Sequence, residues 1–459
     1  MNGKLSTLAL LAVIALAAIG RAAPQRPNVL LIMVDDLGYY DLGCYGHPKI
    51  KTPVLDSLAR CGIRLTSFYA GATVCTPSRM ALMTGAYPSR VGWEIGVMGF
   101  KMGFHDGMSP QALTMAEIFK SEGYATAISG KWHIGDQPET RPGAQGFDSS
   151  YYSAHSNNQT RKTWRGDEIV EENNVNKLLT EQFTTEAIRF IKATKKKPFF
   201  LYLPYTAPHF PVEPHPDWMG KSDFGKYGDV VEEVDFRIGE ILETLKELQV
   251  YDNTIIVFIS DNGPNPHKTS NCLPYRGSKW SALEGGTRVP GIVSWPGVIP
   301  AGQESDALIA AIDLLPTLCT ACGIDWKEKT TGSPPVDGVD VWDTLLGTGS
   351  TQREDLLYWH GMGDFHAIRQ GDWKLFFDRQ SAVSGLGTKR ITPAQAEKIK
   401  AFSTGNAPLL FNVTDDPGET IDLSSQYPQK VKALKALADK RINEIKTGKI
   451  LPIHKPEPK

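Results

Sequence analysis

Short apolar runs that alternate with helical patterns constrain the fold of this chain more than any other feature. Four runs are rich in β-forming residues and have the length of buried strands, and they span 28–34, 124–130, 199–205 and 254–260. Apolar residues recur at helical spacing between them, most clearly over 227–248. This alternation predicts an α/β fold, in which a large and mostly parallel sheet is sandwiched by helices.

The remaining elements follow from the same patterns. Helices are predicted over 52–64 and 180–194, a capping box at Thr114 and Glu117 opens another, and 292–295 is one more strand. The stretch 330–349 is rich in Gly, Pro, Ser and Thr. We therefore predict an α/β domain over 24–345 and a smaller α+β subdomain over 346–459. The subdomain is predicted to hold antiparallel strands at 356–359 and 365–377, an insertion at 381–404 and a closing helix at 429–446.

The first residues have the pattern of a targeting segment. Lys4 precedes the apolar run 8–19, and small residues follow it. We predict a signal peptide over 1–23 and a secreted or periplasmic protein. The apolar run is too short for a comfortable membrane span, so no stable membrane insertion is expected. The formal net charge of −2 argues against a nucleic acid partner.

Cysteine usage leaves the redox structure open. One or two disulfides are compatible with an oxidising compartment, but the sequence does not give their connectivity. Cys319 and Cys322 are interpreted as core residues or as a local bridge, since no second pair or histidine cluster supports zinc. The six cysteines are Cys44, Cys61, Cys75, Cys272, Cys319 and Cys322.

Cys75 stands at the start of an unusual motif, Cys75-Thr76-Pro77-Ser78-Arg79. Pro77 is tolerated in the first turn of a helix and not in its interior, so the motif predicts a helix that starts just after the cysteine and presents Cys75 at its N-terminus. Backbone N–H groups at such a terminus favour an anion. Arg79 would lie one turn further on, within reach of the same place.

Polar side chains follow four of the predicted strands. In a parallel sheet the carboxyl ends of the strands lie along one edge, where such folds bind ligands. Residues that are far apart in the chain can therefore converge there. These residues are Asp35 and Asp36, Lys131 and His133, His209, and Asp261 with Asn262.

The carboxylates Asp35, Asp36 and Asp261, together with the Asn262 amide, form an all-oxygen set. Such hard ligands suit Ca²⁺ or Mg²⁺ and not zinc. Three carboxylates without a cation would be unfavourable, because like charges raise each other's pKa. The alternative is that these are hydrogen-bonded turn residues on separate loops.

A cationic set stands opposite the acidic one. Positive groups of this kind stabilise ester oxygens that gain charge in a transition state. The alternative for any single member is a solvated surface side chain. The set comprises Arg79, Lys131, His133, His209 and Lys279.

The Cys75 motif, continued by Thr84-Gly85, resembles the signature of the type I sulfatases in the alkaline phosphatase superfamily. The resemblance covers nearly the whole chain after the targeting segment. Further segments similar to that family occur in the expected order at 130–135, 207–209, 260–263, 284–286, 372–375, 410–412 and 415–419.

The resemblance implies a chemistry for each of these residues. Cys75 would be oxidised to Cα-formylglycine by a formylglycine-generating or anaerobic sulfatase-maturating enzyme, and its hydrate would be the nucleophile. Arg79 would orient it, His133 would act as the base that regenerates the aldehyde, and either His209 or Lys279 would protonate the leaving group. Lys131, His209 and Lys279 would bind the sulfate oxygens. Ca²⁺ would be held by Asp35, Asp36, Cys75, Asp261 and Asn262.

The predicted function is therefore that of a sulfuric ester hydrolase acting on a sulfated carbohydrate, with galactose or N-acetylgalactosamine sulfates as the first hypothesis. One alternative is a phosphate or phosphonate ester hydrolase of the same superfamily. Another is a secreted glycan-binding protein with an unconverted Cys75. Candidates for sugar contacts are Tyr151, Tyr152, His155, Trp164 and Arg165.

Overall fold

The computed structural model describes residues 26–194, 197–266, 270–383 and 393–456, so the predicted signal peptide lies outside the described residues. Strands are numbered here in chain order. They are β1 Asn28–Val34, β2 Ile63–Leu65, β3 Phe68–Tyr69, β4 Val97–Met98, β5 Lys101–Met102, β6 Ala125–Lys131, β7 Ser149–Ser153, β8 Thr163–Arg165, β9 Glu168–Glu171, β10 Phe199–Pro204, β11 Thr254–Ser260, β12 Gly291–Ser294, β13 Gln303–Ser305, β14 Ile309–Ala310, β15 Asp355–Trp359, β16 Phe365–Gln370, β17 Trp373–Phe376 and β18 Leu409–Asn412.

Helices connect and cover these strands. Those of the α type span Pro53–Cys61, Cys75–Thr84, Met115–Ser121, Leu179–Thr194, Gly225–Glu247, Glu284–Thr287, Leu314–Ala321, Trp326–Lys329, Trp342–Leu345, Arg379–Ala382, Pro393–Lys400 and Pro428–Thr447. Among the described residues, no helix combines the length and apolar character that a bilayer crossing requires.

A ten-stranded sheet lies at the centre, with the strand order β13-β2-β12-β11-β1-β10-β6-β7-β8-β9. Its middle five strands, from β11 to β7, are parallel to one another. The antiparallel strands β12 and β8 adjoin this block on either side. The predicted fold class is confirmed, and the antiparallel additions make the sheet mixed.

Strand β1 shows why the central strands read as continuous apolar runs. Its alternate residues enter two different cores, since successive side chains of a strand point to opposite faces. Leu31 packs in a cluster with residues of the helices Cys75–Thr84 and Met115–Ser121. Ile32 packs in a second cluster with residues of Leu179–Thr194 and Gly225–Glu247. Helices therefore cover both faces of the sheet.

The helix predicted over 52–64 is shorter in the structure, where it ends at Cys61. Gly62 then brings the chain against strand β12, and a Cβ at this position would lie 2.2 Å from the Val293 carbonyl oxygen. The next residues form strand β2, which pairs with β12. The predicted helix was too long because the apolar residues of strand β2 continue the helical spacing of apolar residues beyond Cys61.

The C-terminal part of the described chain forms a separate four-stranded antiparallel sheet in the order β15-β16-β17-β18. The predicted strand at 365–377 is a hairpin of β16 and β17 that turns at Gly371, whose φ is 56°. The helix Pro428–Thr447 buries Leu434 and Ala438 in the same core as strand β17. The insertion predicted at 381–404 falls partly outside the described residues, and the boundary near 345 stays a prediction.

All six cysteines lie in the described residues and are free thiols. Cys319, in the last turn of the helix Leu314–Ala321, and Cys322, which follows that helix, are both buried in the core, which confirms the interpretation of these two as core residues.

A buried ion-pair cluster joins the small sheet to the large domain. Lys374 of strand β17 lies 2.9 Å from a carboxylate oxygen of Glu284 and 3.0 Å from one of Glu419. All three side chains are shielded from solvent. Burial alone would raise the pKa of Glu284, but Lys374, Arg369 and Arg288 together hold that pKa at about 2.

Candidate active site

The carboxyl ends of the central strands bring the predicted site residues to one place. Asp35 and Asp36 follow β1, and Asp261 with Asn262 follows β11. The two turns are tied together, because the Asp36 backbone N–H donates to Asp261 Oδ1 at 3.2 Å. Two residues of the site, Asp36 with a φ of 66° and His133 with a φ of 61°, lie in the left-handed region that few residues other than glycine adopt.

Cys75 is the first residue of the helix Cys75–Thr84, so it lies at a helix N-terminus as predicted, although the helix starts at the cysteine and not just after it. Its side chain is only 2% exposed. Trp280 packs over the small cluster that contains Cys75 and Val74. Burial raises the pKa of the Cys75 thiol despite the nearby charges of Lys131 and Lys279, so the unmodified thiol is a weak nucleophile.

Two groups of side chains have the geometry of a cation site. The ligand atoms of Asp35, Cys75 and Asp261 lie within 4.8 Å of one another, and so do those of Asp35, Asp36 and His209. One side-chain oxygen on each of Asp35, Asp36 and Asn262 is buried and has no hydrogen-bond partner within the described ranges. Buried polar atoms are normally satisfied, so these oxygens fit a hard cation such as Ca²⁺.

Arg79 connects the cysteine helix to both acidic turns. Its Nε and Nη2 atoms lie 3.1 and 2.7 Å from Asp261 Oδ2, and its Nη1 donates to the Lys131 carbonyl oxygen at 2.8 Å. Asp35 Oδ2 lies 3.7 Å from Nη2. The Arg79 side chain has no exposed surface. This guanidinium therefore positions the start of the helix relative to strands β6 and β11.

The two lysines pair with the acidic residues directly. Lys131 Nζ lies 2.5 Å from Asp35 Oδ2, and Lys279 Nζ lies 2.6 Å from Asp36 Oδ1. Asn262 Nδ2 also donates to Asp36 Oδ1, at 2.7 Å. Cationic and anionic side chains thus alternate around a single buried centre.

These charges shift the carboxylate pKa values in opposite directions. Burial alone would raise the pKa of Asp35, but Lys131, His209, Arg79 and Lys279 hold it well below its usual value. For Asp261, burial and the charge of Asp35 prevail over Arg79 and raise the pKa to about 7. The raised pKa of Asp261 shows that negative charge in the site is only partly neutralised, so a bound cation would favour ionisation of this carboxylate.

The two histidines are buried and differ in their contacts. Burial, followed by the charges of Lys131 and His155, holds the pKa of His133 well below its usual value. Burial lowers the pKa of His209 to about 4, despite the charges of Asp35 and Asp36. His209 Nε2 faces Asp36 Oδ2 at 3.7 Å, and His133 contacts Gln159 at 3.1 Å. Both imidazoles are therefore neutral near pH 7 in this arrangement of side chains.

The structure therefore brings the predicted residues to one buried centre, and their individual roles stay predictions. Sequence reasoning missed Asn157 and Gln159, which contact the two histidines, because polar residues in an irregular loop carry no pattern of their own. The sugar-contact hypothesis is wrong for Tyr151 and Tyr152, which are buried on strand β7.

The other three sugar-contact candidates already have partners. His155 is buried and contacts Asp136, at 3.2 Å. The Trp164 ring is covered by the Arg141 guanidinium, and Arg165 pairs with Glu186. Trp164 and Arg165 lie on strand β8, and a sugar contact by any of the three residues stays a prediction.

Comparison with known proteins places the chain beside sulfate ester hydrolases. The family model described as Sulfatase matches residues 27–324, and the one described as the C-terminal region of aryl-sulfatase matches 351–451. N-acetylgalactosamine-6-sulfatase of Canis lupus familiaris is 34% identical, over 90% of this chain and 85% of that protein. Arylsulfatase A of Bos taurus is also 34% identical, over 92% and 89%. The crystal structure of PsFucS1 sulfatase from Pseudoalteromonas sp. is similar with a TM-score of 0.80 and 27% identity, over 97% and 96% of the two chains.

Proposed function

The chain belongs to the sulfatase family of the alkaline phosphatase superfamily and hydrolyses sulfate esters; from this premise we propose that its substrate is a sulfated glycan and that it uses a formylglycine made from Cys75 together with a bound Ca²⁺. Sulfated N-acetylgalactosamine or galactose units are the proposed sugars. The names of the N-acetylgalactosamine-6-sulfatase relatives support this choice of sugar.

One observation carries the cation part of the proposal. Three buried oxygens, on Asp35, Asp36 and Asn262, lack a hydrogen-bond partner in the described chain. With Asp261 and the converted residue 75, they make a set of oxygen ligands of the kind that Ca²⁺ takes. When bound, Ca²⁺ supplies positive charge that favours an ionised nucleophile and neutralises sulfate oxygens.

The burial of residue 75 supports conversion of the thiol. A thiol whose pKa is raised by burial is mostly protonated near neutral pH, so Cys75 as such is poorly suited to attack sulfur. A hydrated aldehyde at the same position offers two hydroxyl groups, one for attack and one whose proton can be removed afterwards. Arg79 holds this position through its contacts with Asp261 and the Lys131 carbonyl.

Three cationic or neutral donors are assigned to the sulfate group. Lys131 reaches the acidic turns from the end of strand β6, and Lys279 and His209 reach them from two separate loops. The charges of Lys131 and Lys279, and that of His209 once its ring carries a second proton, stabilise the sulfuryl oxygens as negative charge develops on them and on the leaving oxygen. They also bind the ground-state ester, which places the sulfur beside residue 75.

Proton transfers complete the assignment. His133 is the proposed base, because burial and its cationic neighbours keep it neutral and able to accept a proton. Protonation of the departing sugar oxygen is assigned to His209 or Lys279, which lie on either side of Asp36. Rates measured on aryl sulfates with leaving groups of graded pKa decide between them, since removal of the true acid makes the rate depend more steeply on leaving-group pKa.

The experiment that tests the whole proposal has two parts. Mass spectrometry of the peptide that contains Cys75 must show loss of the thiol sulfur. The converted protein must then release sulfate from sulfated N-acetylgalactosamine or galactose oligosaccharides, faster than it cleaves an aryl phosphate. An unconverted Cys75 in an active protein would contradict the nucleophile, and higher activity on the aryl phosphate would favour the phosphoester alternative.

A further inference from the structure

One turn, Ser156–Gln159, touches both active-site histidines through side-chain amides. Gln159 Oε1 lies 3.1 Å from His133 Nε2, and Asn157 Oδ1 lies 2.9 Å from His209 Nδ1. These are different nitrogens of the two rings. The protonation of a neutral imidazole is decided by whether each nitrogen faces a donor or an acceptor, so the orientation of the two amides matters.

The orientation of the Gln159 amide is determined by its other neighbours. Its Nε2 lies 2.6 Å from the Met98 carbonyl oxygen, which can only accept a hydrogen bond. Its Oε1 accepts a hydrogen bond from the Ser156 backbone N–H at 3.1 Å. The oxygen must therefore face His133, and His133 Nε2 must donate to it. The remaining nitrogen, Nδ1, then carries the free lone pair of the neutral ring.

His133 Nδ1 is indeed buried without a hydrogen-bond partner among the described residues. A buried and unpaired acceptor on a catalytic base is the atom expected to take the proton. Gly99 leaves the room that Gln159 needs, since a Cβ there would lie 2.7 Å from Gln159 Nε2. Met98 itself is held at the site, because its backbone N–H donates to Thr76 Oγ1, next to Cys75.

The Asn157 amide is oriented by a longer chain of hydrogen bonds. Asn176 Nδ2 donates to the Pro211 carbonyl oxygen at 3.0 Å, so Asn176 presents its Oδ1 to Asn157. Asn157 Nδ2 donates to that oxygen at 2.8 Å, and its own Oδ1 then faces His209. The Phe210 carbonyl oxygen lies 2.6 Å from the same ring nitrogen. Both neighbours of His209 Nδ1 are acceptors, so this nitrogen donates and Nε2 is left free toward Asp36. In this tautomer Nε2 can donate to a sulfate oxygen or to the leaving group only after it has taken up a second proton.

We propose that the Ser156–Gln159 turn sets opposite tautomers in the two active-site histidines, with Gln159 and Asn157 as positioning residues. Gln159 keeps the proton of His133 on Nε2 and leaves Nδ1 as the base. Asn157 keeps the proton of His209 on Nδ1 and leaves Nε2 toward the acidic turn. The consequence for catalysis rests on the proposed function, whereas the tautomers themselves do not depend on it.

The first test reads the tautomers directly. The full-length, calcium-loaded protein is produced with ¹⁵N-labelled histidine side chains, and long-range ¹H–¹⁵N spectra identify the protonated nitrogen of each ring. Signals are assigned by their loss in His133→Gln and His209→Gln. We expect protonation on Nε2 of His133 and on Nδ1 of His209. The opposite tautomer in either ring overturns the assignment for that ring, even if the protein has no sulfatase activity.

The second test asks whether the tautomer of His133 matters. Gln159→Met removes the acceptor and Gln159→Glu keeps one, and rates on an aryl sulfate are expressed per converted residue 75. Loss of a general base costs about 10²-fold or more, so kcat of Gln159→Met should fall by about 10²-fold. If His133 acts after the phenol has left, kcat/KM is retained and one equivalent of phenol appears in a burst.

The controls separate positioning from folding. Asn158→Ala changes the exposed residue between the two amides and should leave kcat unchanged. Gln159→Glu keeps the acceptor for His133 but loses the donor to the Met98 carbonyl, so it should recover part of the lost rate. It should also shift the acidic limb of the pH profile, because a carboxylate raises the basicity of the ring. Equal losses in Gln159→Met and Gln159→Glu would show that only the bond to Met98 matters, and the proposal would be wrong.

Discussion

Lys374 and Glu284 form a buried ion pair, with 2.9 Å between Nζ and Oε1, although 90 residues separate them along the chain. The lysine also reaches Glu419, at 3.0 Å. Removing it takes away the ion-pair partner of the buried Glu419 and leaves Glu284 with only Arg288 and Arg369. We predict that Lys374→Met lowers the free energy of unfolding by about 3–5 kcal/mol, the usual cost of breaking a buried pair.

Urea denaturation measures this loss, with Lys435→Met as the matched control. Lys435 is exposed on the helix Pro428–Thr447, so its substitution should change stability very little. A loss for Lys374→Met no larger than that of the control would show that the pair makes no net contribution.

Chelation should destabilise the protein as well as inactivate it. A ligand that binds only the folded state adds about 2.7 kcal/mol at one hundred times its Kd. We predict that Ca²⁺ raises the melting temperature of the EDTA-treated protein and restores its activity. Asp36→Asn should abolish both responses, since Asp36 offers one of the unpaired oxygens.

The matched control is Asp41→Asn, a buried carboxylate that accepts hydrogen bonds from Gly38 and Asn271 and is not assigned to the cation. It should keep the thermal response to Ca²⁺ even if its stability falls. If Asp36→Asn responds to Ca²⁺ as the wild-type protein does, Asp36 is not a ligand of the cation.

Arg79→Lys should impair catalysis although the charge is kept. The guanidinium bonds to Asp261 through two nitrogens and to the Lys131 carbonyl through a third, and an ammonium group cannot match that geometry. Misplacement of a reacting group by about 1 Å costs about 10²-fold, so we expect kcat/KM on an aryl sulfate to fall by about that factor. Arg64→Lys, at a partly exposed ion pair with Glu304, is the control and should be nearly neutral. Unaltered kinetics in Arg79→Lys would remove Arg79 from the positioning role.

Glu233 should make stability depend on pH in an unusual direction. Burial raises its pKa to about 7, although the His215 backbone N–H and Arg237 oppose this. The folded state then keeps a proton between pH 4.5 and 7 that the unfolded chain has lost. Stability from this group is full below pH 4.5 and decreases as the pH rises to 7.

The measurement compares urea denaturation of the unmodified protein and Glu233→Gln from pH 4.5 to 8. One pKa unit corresponds to about 1.4 kcal/mol. Over this range the free energy of unfolding of the wild-type protein should therefore fall by about 2–3 kcal/mol relative to that of the variant. Parallel stability curves for the two proteins would show that Glu233 ionises normally.

Residues that end a buried strand were the most predictable part of the site. Strand β11 has the predicted bounds, Thr254–Ser260, and Asp261 follows it as expected. The apolar run carries the strand signal, and parallel pairing then brings distant carboxyl ends to one edge. The position of the helix that carries Cys75 could be predicted equally well, because Pro77 is compatible with the first turn of a helix and not with its interior.

The direction of a strand and the hydrogen-bond partners of a side chain could not be predicted from the sequence in the same way. Strand β12 reads as another buried strand, yet it runs antiparallel to β11, and a short apolar run carries no information on direction. Tyr152, predicted as a candidate sugar contact, is instead buried on strand β7 inside the sheet. The orientation of Gln159 depends on the Met98 carbonyl, 61 residues away, which no local pattern reveals.

The inaccessibility of Cys75 bears on when the proposed oxidation takes place. A side chain that is 2% exposed and covered by Trp280 offers no approach to the active centre of another protein. The modifying enzyme must therefore meet an unfolded segment, before the sheet and its helices close over residue 75. Oxidation of Cys75 then competes with folding of the chain. Where folding is faster than oxidation, inactive protein accumulates, and the modifying enzyme cannot convert it once it has folded.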